Sequence, residues 1–266
     1  MRLATWNLLH GISPHDGAID EGRLRAAAAS LDADVLCLQE VDRTLPRSGH
    51  VDQAAAVAEA MGAAAWRFEP AIGGDPDGEW SPPGTDPQEG AYGVALASRL
   101  PVLSWHTLRL APPRVPAVMP ASIPRQTERG GRLGRPQLIR DLPRVVLAAV
   151  VETRRGPMTV GCAHLTYIQG WNVAQLRQAL TLLRPLPAPR FLLGDFNMPG
   201  GLPALASRWR PLARARTFPA WRPLLQIDHV LVEGYVDVRG SSVRQLPVSD
   251  HRAVLVDLDD SPRPVR

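Results

Sequence analysis

Lysine is absent from this chain of 266 residues: all 30 of its basic residues are arginine. With alanine, proline and glycine so abundant, a GC-rich genome accounts for that total, but not for where the arginines fall. Cysteine is scarce as well. Cys37 and Cys162 lie inside apolar, strand-like runs, which excludes a disulfide framework and reads as two small core residues in a reducing compartment. No run approaches the ~18–20 apolar residues of a membrane helix. The opening MRLATWNLLHG has neither a long apolar stretch nor a small-residue cleavage site, so no secretory signal is expected and the reading is cytoplasmic. What is present is ordinary for a folded domain. Hydrophobic residues make up 45% and charged residues 21%, which excludes a disordered or fibrous chain.

The formal net charge is only +4, yet the charges are unevenly placed. Arg109 to Arg144 holds eight arginines against Glu128 and Asp141, and Arg208 to Arg222 holds five with no acid. Gly73 to Gly90 is the reverse, with Asp75, Asp77, Glu79, Asp86 and Glu89 and no arginine. Such asymmetry suits a basic face for a polyanion, although solvated charged surfaces are the commoner cause.

Short apolar runs alternate with single helical stretches. Strands are expected at 2–9, 34–39, 64–72, 92–98, 102–110, 145–152, 158–164, 190–194, 227–232, 236–239 and 253–258; helices are expected at 21–31, 53–61 and 171–183. Gly73 to Gly90 reads as a long loop, and Ala111 to Pro143, rich in Pro, Gly and Arg, as a mobile loop without helix or sheet. Strands outnumber helices, and many neighbouring strands are joined by short turns. This predicts one domain over 1–266, an α/β four-layer αββα sandwich of two packed mixed sheets flanked by helices.

Polar residues gather where these strands end. Asn7 interrupts the first strand, Glu40 closes LCLQE, His164 closes TVGCAH, and Asp195 and Asn197 follow FLLG. Their spacing puts Asp195 and Asn197 on one side of an extended chain. Asp228 opens IDHVLV, and Asp250 and His251 precede the last strand. A rigid sheet holds its rim residues well, so these positions form a plausible convergent site. His10, His15, His50, His106 and His229 read instead as satisfied surface or core residues, Trp6, Trp66 and Trp105 as core, and Trp221 as a residue of the cleft rim.

The segments TWNLLHG, DVLCLQEVD, YGVALASRLPV, CAHLT, LLGDFNMP, QIDHVLV and VSDHRAVLVDL, in that order, resemble the endonuclease/exonuclease/phosphatase superfamily of deoxyribonuclease-I-like metal-dependent phosphoesterases. The resemblance implies the same αββα fold and a divalent metal, normally Mg²⁺ with Mn²⁺ as a substitute. It implies Glu40 as the main metal ligand, assisted by Asn7, with Asp250 completing the metal side. Asp195 and Asn197 would position and deprotonate the attacking water, or Asp195 would touch a second metal. His251, oriented by Asp228, would hold a phosphoryl oxygen or act as the base, and His164 would stabilise the developing charge. Tyr92, Arg144 and Asn172 are weaker candidates for substrate contact, a surface role being as fitting for Arg144. Leu9 stands where some repair nucleases carry a second acid, which disfavours two metals on that side.

That chemistry fits the residue types. An anionic phosphoester needs charge neutralisation, an activated water and help for the leaving oxygen. Mg²⁺ takes carboxylate and amide oxygens while keeping several waters. The arginine-rich stretches favour a nuclease acting on DNA or RNA. A hydrolase of a smaller phosphoester, such as a phospholipid head group, sugar phosphate or inositol phosphate, is the alternative, and a catalytically dead scaffold a distant third. No obligate protein partner is implied.

Overall fold

The computed structural model describes residues 1–86, 89–110, 112, 117–120, 136–139 and 141–261. Two sheets carry the fold. The first contains β1 (Arg2–Asn7), β2 (Val35–Arg43), β3 (Ala65–Gly74), β4 (Trp80–Ser81), β5 (Ala91–Ser98), β14 (Val238–Arg244) and β15 (Ala253–Leu258), in the order β14-β15-β1-β2-β5-β3-β4. The second contains β6 (Val102–Leu110), β9 (Arg144–Thr153), β10 (Gly156–His164), β11 (Arg190–Asp195), β12 (Arg210–Pro211) and β13 (Asp228–Glu233), in the order β12-β13-β11-β10-β9-β6. A separate hairpin pairs β7 (Ala117–Pro120) with β8 (Pro136–Ile139).

The sheets pack face to face because their strands alternate. Leu3, Val35, Cys37, Val94 and Leu96 of the first meet Leu147, Val160, Cys162, Phe191, Leu193 and Val230 of the second. A fully buried Phe or Leu contributes roughly 1.5–3 kcal/mol, so this seam is the main source of cohesion. The opposite faces are apolar too, and helices cover them. Trp6, Leu36 and Leu38 lie under α1 (Glu21–Ser30) and α2 (Gln53–Met61), through Leu24, Ala28, Val57 and Met61. Val146, Ala148, Leu192 and Leu231 lie under α3 (Trp171–Leu183), through Leu176, Ala179, Leu180 and Leu183. A short α4 (Leu202–Ser207) adds to that layer. Asp20 and Asp52 cap α1 and α2 by accepting from the amides of Arg23 and Ala55. The expected four-layer sandwich is the observed one. Cys37 and Cys162 are both buried, free thiols within it.

Each sheet holds one parallel pair, β1 with β2 and β10 with β11. Ligands sit outside the carboxyl ends of parallel strands, and here the ends of the two pairs meet, which places the functional rim.

Four sequence expectations need correction. The edge strand β14 runs to Arg244 rather than ending at Arg239; it is largely exposed and carries Arg239, Ser241, Ser242 and Arg244, so apolar periodicity could not mark it. Trp80 and Ser81 pair with Gly74 and Gly73, adding a strand inside the expected acidic loop. The stretch 111–143 is not free of sheet, because β7 and β8 pair within it; its Arg125, Arg129, Arg132 and Arg135 lie outside the described residues. Trp66 is 42% exposed rather than core, while Trp6 is buried and Trp105 packs against the seam.

Gly194 is the residue the rim tolerates least well as anything else. Its φ is +144°, and a side chain there would collide with the Ala163 carbonyl of the neighbouring strand. Gly194→Ala is expected to lower unfolding stability by roughly 1–3 kcal/mol and to displace Asp195. Chemical denaturation and activity measured on the same preparation check both.

Candidate active site

Strand register assembles the site. His164 at the end of β10 is level with Asp195 at the end of β11, and Asp195 is level with Asp228 at the start of β13. From the other sheet, Asn7 at the end of β1 is level with Gln39 on β2. Glu40 follows at a bulge, where the pairing of β2 with β5 slips by one residue between Leu38 and Val41. Its backbone is left-handed, with φ of 53°, a strained choice for Glu that re-aims the carboxylate. Asn197 is left-handed as well, with φ of 51°. Asp195 and Asn197 therefore meet through a kink beyond the strand end, not through the extended spacing expected from sequence.

Asp195 is the hub. Its Oδ2 accepts from Asn7 Nδ2 at 3.1 Å, and its Oδ1 accepts from the Asn197 amide at 2.9 Å. The same Oδ2 lies 3.7 Å from His164 Nε2 and 3.8 Å from His251 Nε2. Asn7 also donates to Glu40 Oε1 at 3.0 Å, tying carboxylates from the two sheets together. The Asn7 oxygen is committed to the Leu9 amide, 3.0 Å away. As placed, Asn7 turns its nitrogen towards the carboxylates and tethers them.

The two histidines are held in opposite states. His251 Nδ1 lies 2.9 Å from Asp228 Oδ2, with the Phe218 ring against the imidazole. Burial alone would lower its pKa, but Asp228, then Asp195 and Asp250, hold it well above the ordinary value. His164 receives a hydrogen bond from Arg144, whose Nη1 lies 3.0 Å from Nδ1 and 3.2 Å from Nε2. Burial, then the positive charges of Arg144 and His251, push His164 well below its usual value, so it stays neutral. Asn197 Nδ2 lies 3.4 Å from His164 Nε2 and donates to the Leu165 carbonyl at 2.9 Å.

The carboxylates pay for their position in desolvation. Burial raises the pKa of Glu40, and Asp250 nearby raises it further against the hydrogen bond from Asn7. Burial also raises Asp195, with repulsion from Asp228 and Glu40 opposed by His251. Asp250 rises chiefly through burial. Its Oδ1 is buried with no hydrogen-bond partner among the described residues. Glu40, His164 and Asp195 each offer a ligand atom within 4.8 Å of the others, and Asp195, Asp228 and His251 form a second such group. Hard oxygen donors, raised carboxyl pKa values and an orphaned carboxylate oxygen fit a divalent cation.

The weaker candidates divide. Arg144 is no surface residue: it is buried, and its Nη2 donates to Asp141 Oδ1 at 2.6 Å. Tyr92 is buried in the wall of the adjoining cleft. Asn172 is buried and engaged with the backbone, its Oδ1 accepting from Gly170 and its Nδ2 donating to the Asn197 carbonyl. Those bonds support the Asn197 loop. Trp221 lines a different groove, with Ser13 and Leu246.

Sequence reasoning missed several cleft residues. Asp141, Tyr167, Arg47 and His10 are among those that line a cleft of about 290 Å³ beside Glu40. The signals were an acid three residues before Arg144, a tyrosine three after His164, and a histidine inside TWNLLHG. Arg47 had none, since Asp42, Asp75 and Asp77 become its partners only in the fold. His229, read as a satisfied residue, is buried with Nε2 2.8 Å from the Met198 carbonyl and stacks on Phe196.

The model of the Endonuclease/Exonuclease/phosphatase family matches residues 4–251. Among solved structures, an endonuclease/exonuclease/phosphatase from Beutenbergia cavernae DSM 12333 aligns over 100% of this chain and 73% of its own, at 24% identity and TM-score 0.65. The mannosyl-6-phosphatase Bt3783 of Bacteroides thetaiotaomicron aligns over 97% and 99%, at 17% identity and TM-score 0.66. The human Nocturnin catalytic domain with bound sulfate aligns over 97% and 93%, at 19% identity and TM-score 0.60. No curated protein matches.

Two variants test the cluster. Glu40→Gln is expected to lower kcat/KM by on the order of 10²–10³ and to weaken Mg²⁺ binding by calorimetry, with an unchanged melting temperature. Asp228→Asn removes the main support of the His251 imidazolium. Its pKa therefore falls, and an alkaline limb that reports loss of the charged ring moves to lower pH. An NMR titration of the His251 ring protons, run beside the pH–rate profile, reads that shift directly.

Proposed function

The chain belongs to the endonuclease/exonuclease/phosphatase family, whose members hydrolyse phosphoesters with a divalent metal, and from that premise we propose a Mg²⁺-dependent hydrolase of a small phosphoester. The observation that carries the reading is the single Asp195 oxygen shared among Asn7, His164 and His251. Glu40 and Asp250 would hold the cation, which supplies charge neutralisation at the phosphate and its leaving oxygen.

The remaining roles follow from protonation states. Asp195 is fixed by Asn7 and by the Asn197 amide, and its raised pKa makes it the better base for the attacking water. His251 is already an imidazolium paired to Asp228, so it donates to a phosphoryl oxygen rather than accepting a proton. Neutral His164 and the Arg144 guanidinium add donors without adding a second base.

Pocket shape supports the smaller substrate. The cleft beside Glu40 is about 290 Å³, and its charged lining is mixed, Asp77 being paired with Arg47 and Asp141 with Arg144, so it offers no continuous basic track for a polyanion. A nucleic-acid substrate is the second reading, favoured by exposed Arg214, Arg216 and Arg222 in the segment leading to Asp228.

The test is a panel of sugar phosphates, inositol phosphates, phospholipids, RNA and plasmid DNA with Mg²⁺, Mn²⁺ or EDTA. Turnover of a small phosphoester that EDTA abolishes is expected. Efficient plasmid or RNA cleavage, losing affinity steeply with salt, would decide for the nuclease. Full activity in EDTA would remove the metal.

A further inference from the structure

Asp141 is joined to Asp195 by a chain of contacts. Its Oδ1 accepts from Arg144 Nη2 at 2.6 Å, and Arg144 Nη1 donates to the His164 ring, 3.0 Å from Nδ1 and 3.2 Å from Nε2. His164 Nε2 in turn lies 3.7 Å from Asp195 Oδ2 and 3.4 Å from Asn197 Nδ2. A second chain ends on the same oxygen: Asp228 holds His251, whose Nε2 lies 3.8 Å from Asp195 Oδ2. Asp141 stands at the head of the first chain as Asp228 stands at the head of the second.

Resting on the phosphoesterase reading above, we propose that Asp141 is a positioning residue for that reaction, acting through Arg144 to fix the His164 ring beside Asp195.

A buried cation needs a partner to neutralise and orient it. The side chains of Arg144 and Asp141 are 7% and 1% exposed, so water does neither. Among the described residues, Asp141 is the one carboxylate that forms an ion pair with Arg144. At 2.6 Å their hydrogen bond is short and charge-assisted, and a planar guanidinium gripped at Nη2 carries Nη1 with it. Both partners are anchored. Arg144 opens β9, opposite Leu110 of β6. Asp141 is followed by Leu142, which packs on Leu45, Ile72 and Tyr92, and then by Pro143, whose ring fixes φ. An apolar peg thus seats the acid while a strand seats the base. Arg144 Nε makes no hydrogen bond among the described residues, so the guanidinium is held through Asp141 on one side and His164 on the other. Without the carboxylate it keeps the imidazole contact alone, and the ring is no longer held from a fixed direction.

The test is a double-mutant cycle on the full-length protein, with Asp141→Asn, Arg144→Met and the two combined, read in two ways. The first is turnover of p-nitrophenyl phosphate and bis(p-nitrophenyl) phosphate with Mg²⁺. Each single variant is expected to lower kcat about tenfold to a hundredfold with KM nearly unchanged, as for a misplaced group. The double variant should be no slower than Arg144→Met. The second readout is the ¹⁵N signals of the His164 ring at one fixed pH, identified by their loss in His164→Gln. They should move in both single variants, and as far in the double variant as in Arg144→Met. Losses that multiply, an Arg144→Met enzyme with wild-type kcat, or His164 signals that Asp141→Asn leaves in place overturn the proposal. Should Asp141→Asn fail to fold, Arg144→Met and the double variant, which bury no lone cation, still decide: a difference between them in kcat or in the ring signals gives Asp141 a role outside Arg144 and overturns it. A wild type that turns over neither probe nor any phosphoester of the panel above overturns the phosphoesterase reading, and the ring signals then judge the positioning by themselves.

Discussion

Four carboxylates, Glu40, Asp195, Asp228 and Asp250, converge where two sheets end, and the rest of the site answers the resulting excess of negative charge. Burial makes each charge expensive, and proximity makes each harder to keep beside the next. Part of the excess is met inside the chain. His251 offsets Asp228, and Asn7 places one amide nitrogen between Glu40 and Asp195. The rest is met only at longer range, as at Asp250 Oδ1, which has no hydrogen-bond partner among the described residues and lies 3.9 Å from His251 Nε2, and this residual charge suits the site to a cation.

Holding such a cluster requires a frame that cannot relax, and the seam between the sheets supplies it. Phe191, Leu193 and Val160 pack with Leu3, Val35 and Leu96 in the seam from which the strands run to the rim, so the two sheets are not free to splay. Local backbone devices then aim the side chains. Gly194 allows β11 to approach β10 closely just before Asp195, and left-handed Glu40 and Asn197 turn their groups inward. Strain of this kind persists only where surrounding packing over-determines the backbone.

Arg47 ties the first sheet to the wall of the cleft. It pairs with buried Asp42 in the first sheet, reaches Asp75 and Asp77 in the acidic segment, and lies 5.6 Å over the Tyr92 ring. One guanidinium thereby fixes one wall of the cleft.

Much of this was legible in the sequence. Alternating apolar runs determined the two sheets and the faces that helices must cover, because burial follows a period of two in strands and 3.6 in helices. Polar residues closing those runs, Asn7, Glu40, His164, Asp195, Asp228 and His251, could be named as rim residues from position alone. Other features depend on contacts between residues far apart in the chain. That Asn7 presents nitrogen, that Arg144 is buried against His164, and that Asn172 serves the backbone are set by partners up to 188 positions away. The cleft is of the same kind. Asp141 and Tyr167 lie three residues from Arg144 and His164 in sequence but Trp80 carries no local pattern, and only the packing of β4 and the strand-end loops against one rim makes them neighbours, because a strand specifies which face a side chain takes but not what it will meet there.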